Sequence, residues 1–304
     1  MKKYPAKILL FGEHTVNLGS QALAMPLDLY AGHWDFSDKK DKWADRLMEF
    51  AEYLSTAPLF IKLDMARFKK ELSDGLHFAS NIPTGYGVGS SGALVAAIFD
   101  RYCMVREGKD LTMLKKTLAQ MEGFFHGTSS GTDPLICYLN SAVILSKEGI
   151  GKAELPKIKK PYSLFLLDTK IQRSATPLIE YFLEKNKDVF FQQKINNDFL
   201  PIVDQAINYF VEGDWGLLFD VFNLISEFQF LFLEKMIPDN FLEVWKSGMD
   251  SDFFKLKICG AGGGGFILGM TNDFERMERE FKEYKFIEVS GIRGQESAVL
   301  TPGL

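Results

Sequence analysis

The stretch Asn81–Phe99, NIPTGYGVGSSGALVAAIF, limits most what this chain can become. Four glycines, two serines and a proline stand between the apolar run LHFAS and an alanine-rich segment with helical character. So much bare backbone ahead of a helix suits a phosphate, an acyl oxyanion or a tight turn. Gly85, Gly87 and Gly89 allow positive φ and close approach of a ligand to the backbone. Ser90 to Ala93 then form the first helical turn, whose free N–H groups and dipole favour an anion. Ser90 and Ser91 add hydroxyls for a phosphate oxygen or a magnesium ion. A helix-capping turn without a ligand is the plain alternative.

Two familiar phosphate loops and one hydrolase motif are set aside. A Walker loop needs G-x-x-x-x-G-K-[ST], and no glycine-lysine pair here has that context. G-x-G-x-x-G occurs at Gly87, Gly89 and Gly92, but the nearest expected strand ends near Ala79 and no βαβ unit surrounds it. It recurs at Gly260, Gly262 and Gly265, where a strand follows instead of a helix. G-x-S-x-G occurs at Gly127–Gly131. However, His14, His33, His77 and His126 all precede Ser129, so the Ser, acid, His order of an α/β-hydrolase is impossible. What remains is a phosphate cradle of another kind.

The chain has 304 residues and a net charge of −5, with no basic stripe for nucleic acid. Cys103, Cys137 and Cys259 are far apart and form no CxxC, so they read as buried thiols of a reducing compartment. The apolar run after the basic start is short and is interrupted by Glu13 and His14, unlike a signal peptide. No segment is expected to reach the apolar length of a membrane helix. These features predict a cytoplasmic protein without nucleic-acid or membrane partners.

Strands are expected at Lys7–Phe11, Leu23–Trp34 (one or two), Phe60–Leu63, Leu76–Ala79 and Ala142–Leu145. In the second half they are expected at Tyr162–Asp168, Phe254–Cys259, Phe266–Met270 and Phe286–Val289. Helical spacing marks Asp41–Leu54 (Trp43, Leu47, Phe50, Ala51 and Leu54 on one face), Ser91–Met104 and Leu111–Phe125. It also marks segments within Pro177–Lys187, Asp188–Glu212, Trp215–Leu233, Asn240–Ser247 and Asp273–Tyr284. Gly149–Lys160 is the expected connection between two lobes, 1–155 and 156–304. The mixture lacks regular βαβ alternation and reads as α+β.

Five segments together resemble the GHMP kinases, in the form seen in mevalonate kinases. PTGYGVGSSGA from Pro83 is similar to P-x-x-x-G-L-G-S-S-A-A, with Val88 for Leu and Gly92 for Ala. PAKILLFGEHTVNLG (Pro5–Gly19) resembles the first family motif, and KICGAGGGGFILGM (Lys257–Met270) the third. MEGFFHGTSSGTDP (Met121–Pro134) resembles E-x-x-x-H-G-x-P-S-G-x-D, with Ser129 in place of the proline, a change expected to loosen the turn. DTKIQRSA (Asp168–Ala175) is similar to T-K-V-P-R-[ST]-T, with Gln172 and Ala175 as departures. Leu18 and Gln21 replace the usual Tyr and Pro of the first motif.

The resemblance implies a two-lobed GHMP kinase fold with the active site between the lobes. The N-terminal lobe would be ribosomal-S5-like α/β and the C-terminal lobe ferredoxin-like α+β. It also implies ATP- and Mg²⁺-dependent phosphorylation of a primary hydroxyl on a small hydroxy acid, mevalonate first. Phosphoryl transfer needs an in-line acceptor, charge neutralisation and a group to take the acceptor proton. Asp133, just past a glycine turn, is placed to be that base; taken alone, it suits a helix cap equally. Lys7 is a lone cation in an apolar strand, costly unless paired, and the resemblance puts it beside Asp133. By resemblance, Gly85, Gly87, Gly89, Ser90, Ser91 and Gly92 bind ATP, while Ser91 and Glu122 hold Mg²⁺. Glu13, His14, Arg173, Gly262 and Gly263 fall on the substrate side, where an arginine fork suits a carboxylate. Phosphomevalonate or a sugar is the alternative acceptor, and a non-catalytic nucleotide- or metabolite-binding role is a reading from another class. The sequence leaves the oligomeric state open, with a homodimer compatible.

Overall fold

The computed structural model describes residues 1–37, 44–105 and 110–289. By packing, the chain divides into two units that are discontinuous in sequence. Met1–Ile8, Ala24–Thr84 and Val88–Ser141 form the first unit. Leu9–Leu23, Gly85–Gly87 and the chain from Ala142 onward form the second. The sequence reading expected a single cut after residue 155. Instead, strands β1 (Tyr4–Phe11) and β2 (Ala22–Phe36) each contribute residues to both units.

In the first unit, β3 (Leu76–Ser80) pairs antiparallel with β2, Gly32 opposite Ser80 and Phe36 opposite Leu76. Helix α1 (Ala44–Thr56) buries Leu47, Phe50, Ala51 and Leu54, the face its 3.6-residue spacing predicts. Trp43, expected on that face, lies outside the described residues. Helix α2 (Met65–Ser73) escapes the sequence reading because it buries only Phe68; Asp64 caps it by accepting the Arg67 N–H at 3.0 Å. The strand expected at Phe60–Leu63 is absent. Leu63 makes one isolated bridge to Cys103, too little contact to build a ladder. Helix α3 (Ser90–Tyr102) is buried along Val95–Phe99 and packs on α4 (Leu111–His126) and α5 (Thr132–Leu139).

In the second unit, β4 (Ala142–Ser146) and β5 (Gly149–Ala153) form an antiparallel hairpin with Ser146 opposite Gly149. The expected connection at Gly149–Lys160 therefore begins with a strand. Its residues are mostly exposed, so no apolar alternation advertised it. Strands β6 (Ser163–Asp168), β7 (Phe254–Ile258), β8 (Phe266–Thr271) and β9 (Lys285–Glu288) form an antiparallel sheet in the order β7-β8-β6-β9. This is the ferredoxin-like order expected for the C-terminal half. Helices α6 (Thr176–Lys185), α7 (Val189–Lys194), α8 (Leu200–Glu212), α9 (Trp215–Leu233) and α10 (Leu242–Asp250) separate β6 from β7. The short α11 (Phe274–Glu280) separates β8 from β9. Asp188–Glu212 is not one helix. A π-helical turn at Ile195–Phe199 divides it just before Pro201, which has no N–H to close a regular turn.

Trp215–Met236 corrects one expectation, because this segment of 22 residues is long and apolar enough to cross a membrane. Half of that apolar window is buried within the protein, the pattern of a core helix. Phe222 meets Phe11 edge-on at 6.1 Å, Phe228 stacks on Phe199 at 4.2 Å, and the helix packs on β7.

Candidate functional site

The first unit gathers Lys7, Asp133, Gly89, Ser90, Ser91, Gly92 and Glu122. Lys7 sits mid-strand in β1, and its backbone N–H donates to the Val88 carbonyl at 2.9 Å, tying the strand to the glycine loop. Its Nζ lies 2.9 Å from Oδ1 of Asp133, with the lysine side chain 8% and the aspartate 33% exposed. A buried lysine needs such a partner. Asp133 occupies the first turn of α5, where the helix dipole favours a carboxylate. The cap of α3 is Gly89, at φ +77°, with no side-chain hydrogen bond to the first turn. A Cβ there would stand 2.9 Å from Lys7 Cγ, so both conformation and space call for glycine.

Gly92 explains one departure from the family pattern. A Cβ on it would meet the Asp133 carbonyl carbon and the Pro134 nitrogen, each at 3.0 Å. Alanine does not fit without a shift, and the glycine lets α3 and α5 close on the Lys7–Asp133 pair.

Glu122 is buried on α4, where two serines hold its carboxylate. Ser91 Oγ donates to Oε1 at 2.9 Å and Ser129 Oγ to Oε2 at 2.5 Å. His126 Nε2 is 3.1 Å from Ser91 Oγ. Because Ser129 also accepts the Gly131 N–H at 2.9 Å, it ties the turn that was expected to loosen. Burial, then the nearby Asp133 charge, push the Glu122 carboxyl up to about 7. Glu122 and Asp133 thus lie near enough to repel, and Lys7 offsets part of that charge, an arrangement that a divalent cation would balance. Magnesium takes few protein oxygens, so Ser91 and Glu122 fit it. The uncapped N-terminus of α3 fits a phosphate.

Gly85 and Gly87 group with the second unit. The Arg173 N–H donates to the Gly85 carbonyl at 3.1 Å, and a Cβ on Gly87 would strike the Arg173 guanidinium at 2.0 Å. Tyr86 donates to Asp168 at 3.2 Å and meets Phe266 edge-on. Space for Gln172 beside Gly85 and for Arg173 beside Gly87 is thus a reason for these two glycines that sequence could not supply.

The second unit also brings Glu13, His14, Arg173, Gly262 and Gly263 around the glycine-rich loop after β7. Glu13, expected on the substrate side, is buried in an ion pair: Lys257 Nζ stands 2.5 Å from its Oε1, with side chains 1% and 4% exposed. Burial pushes the Glu13 carboxyl up, opposed by Lys257. Sequence reasoning missed Lys257, although FKLKI presents it as a cation in an apolar strand, the same signal that marked Lys7. His14 stacks on Phe182 at 4.7 Å, adopts φ +63°, and keeps a buried Nε2 without a hydrogen-bond partner. Burial and the neighbouring Arg173 lower its pKa to about 4. Arg173 donates to the Cys259 carbonyl at 3.4 Å, and Gly263 donates its N–H to Met236 at 2.6 Å. Gly262 adopts φ +78°, and a Cβ on it would stand 2.6 Å from the Met236 carbonyl oxygen.

Residues 58–141 match the family model described as the GHMP kinases N terminal domain. The chain has the GHMP kinase fold. In sequence it is similar to mevalonate kinases. That of Dictyostelium discoideum is 21% identical, over 99% of this chain and 94% of the relative. That of Pyrococcus abyssi is 31% identical over 43% of this chain, which spans about half (47%) of that relative's length. Among solved structures, L. major mevalonate kinase in complex with R-mevalonate superposes with TM-score 0.62 at 15% identity, covering 93% of this chain and 92% of that one. Streptococcus pneumoniae phosphomevalonate kinase, in complex with phosphomevalonate and AMPPNP, superposes with TM-score 0.64 at 13% identity, covering 94% and 99%.

Proposed function

We propose that this chain is an ATP- and Mg²⁺-dependent kinase that phosphorylates the primary hydroxyl of mevalonate. The observation that carries the reading is the Lys7–Asp133 pair, 2.9 Å apart and half-sheltered beside an uncapped helix N-terminus. Asp133 takes the acceptor proton as the hydroxyl oxygen attacks the terminal phosphorus of ATP and the bond from that phosphorus to the bridging oxygen breaks, releasing ADP. Lys7 holds the aspartate in place. The first-turn N–H groups of α3, with Ser90, receive the phosphates. Ser91 and Glu122 would hold Mg²⁺, which when bound neutralises charge on the phosphate oxygens. His14 and Arg173 are assigned to the acceptor carboxylate by their resemblance to family motifs. The Gly262–Gly263 segment is assigned to the same side.

The nearest competing reading keeps the chemistry and changes the acceptor, since a phosphomevalonate kinase shares the fold. ADP release with Mg-ATP is measured against mevalonate, phosphomevalonate, galactose and homoserine. Turnover with mevalonate alone supports the proposal. Turnover with another acceptor leaves the catalytic pair standing and removes the substrate. Nucleotide binding with no turnover across the panel favours a binding role.

A further inference from the structure

The loop Gly260–Gly265 has five glycines at positive φ: Gly260 at +64°, Gly262 at +78°, Gly263 at +75°, Gly264 at +147° and Gly265 at +67°. Glycine has the largest conformational freedom of any residue, so a run like this does not hold a shape by itself. Outside groups must clamp it. At the far end, the Gly265 N–H donates to the Ile171 carbonyl at 2.7 Å, and Thr169 Oγ1 donates to the Gly265 carbonyl at 2.7 Å. In the middle, Met236 accepts from Gly263. At the near end stand Glu13 and Lys257. The Gly260 backbone N–H faces the Glu13 carboxylate, and Lys257 Nζ also donates to the Ile258 carbonyl at 2.7 Å. The next residue, His14, bonds to the backbone of Ala261.

A buried ion pair is a poor source of stability, because desolvation of the two charges offsets their attraction. Apolar replacements of similar volume are often neutral or stabilising. Here both members of the pair reach backbone where the loop begins, Glu13 at the Gly260 N–H and Lys257 at the Ile258 carbonyl. We infer that Glu13 and Lys257 are positioning residues, a buried pair that sets the near end of the glycine-rich loop. This deepens the kinase reading and rests on it only for the turnover measured below.

The test compares wild type with Glu13→Met/Lys257→Met and Glu13→Gln/Lys257→Met in the full chain. The first double variant removes the charges and both backbone contacts, yet leaves no buried charge alone, so it is expected to fold. Amide hydrogen exchange in peptides spanning residues 258–266 is expected to rise at least tenfold, with exchange in β6 unchanged. The second variant keeps an acceptor oxygen for the Gly260 N–H and is expected to restore most of that protection. Turnover is expected to fall at least tenfold in kcat in the first variant and to recover partly in the second, with KM for ATP changing less. Wild-type exchange and kcat in Glu13→Met/Lys257→Met overturn the inference, as does a uniform rise in exchange through β6 and β8. The exchange arm needs no activity, so a wild type that phosphorylates no acceptor sinks the kinase reading and leaves this test standing.

Discussion

Gly92 on α3 lies directly against the peptide that joins Asp133 to Pro134, leaving 3.0 Å where a methyl group would have to stand. The contact is with backbone, which cannot rotate away as a side-chain tip can. Gly92→Ala is therefore expected to push α5 outward and shift the carboxylate off Lys7. Overpacking of this kind costs about 1–3 kcal/mol. Denaturant unfolding should show that loss, and kcat should fall by more than KM rises. A Gly92→Ala variant as stable and active as wild type means that α5 moves freely, and that the glycine has no part in placing Asp133.

The Lys7–Asp133 pair separates chemistry from folding. Asp133→Asn keeps the shape and a hydrogen-bond acceptor for Lys7, and should lower kcat by roughly 10²–10⁴-fold, the usual effect of a lost general base. Lys7→Met leaves Asp133 one-third exposed to water, so the protein should stay folded while kcat falls. Stopped-flow or coupled assays of ADP release, beside circular dichroism, decide the matter. Unchanged turnover in folded Asp133→Asn removes the aspartate from the mechanism.

Most of the regular elements were legible from the sequence because their signals are local. The apolar face of α1 and the buried run of α3 follow from periodicity alone. What escaped was set by tertiary contact. Helix α2 buries one phenylalanine, β5 is almost wholly exposed, and the π-helical turn before Pro201 interrupts an otherwise continuous helical pattern. Lys7 and Asp133 could be singled out by residue type, but only their 2.9 Å separation makes them a pair. Departures from the family pattern were unreadable in one dimension. Gln21 donates its backbone N–H to Asp204 at 2.8 Å, a bond that the usual proline has no N–H to make. Ser129 was expected to loosen a turn that its hydroxyl in fact ties. The partner of Glu13 could not be read from the sequence because Lys257 lies 244 positions away in the chain.

Ser129 holds Glu122 from one side and the start of α5 from the other. Ser129→Ala removes a hydroxyl that donates to a carboxylate and accepts from the Gly131 N–H. A hydrogen bond to a charged group contributes about 1.5–3 kcal/mol. The variant should lose stability of that order and bind Mg²⁺ more weakly at pH 7, because the carboxylate loses a donor that favours its ionised form. Isothermal titration with Mg²⁺ and a nucleotide checks the second part. Equal Mg²⁺ affinity in the two proteins would mean that the serine serves the turn alone.

His14 and Glu122 should make stability respond to pH in opposite directions. Burial holds the His14 imidazole at about 4 in the folded protein, against 6.5 when free. As pH falls from 6.5 towards 4, the unfolded chain takes up that proton first, so stability is lost on acidification. The full shift corresponds to on the order of 3 kcal/mol. Glu122 titrates at about 7 in the folded protein, against 4.5 when free. Its protonated form is favoured by folding, so the contribution is complete below 4.5 and is lost as pH rises through 7. Wild type alone shows only the sum, and single variants separate the parts. His14→Gln should flatten the loss between pH 6.5 and 4. Glu122→Gln, which is neutral throughout, should be more stable than wild type at pH 8 and nearly equal to it at pH 5, with turnover abolished. Thermal unfolding of the three proteins at pH 5, 6.5 and 8 gives the comparison. Parallel pH profiles for wild type and Glu122→Gln would show that the buried carboxylate is ionised at no cost to the fold, contrary to its position beside Asp133.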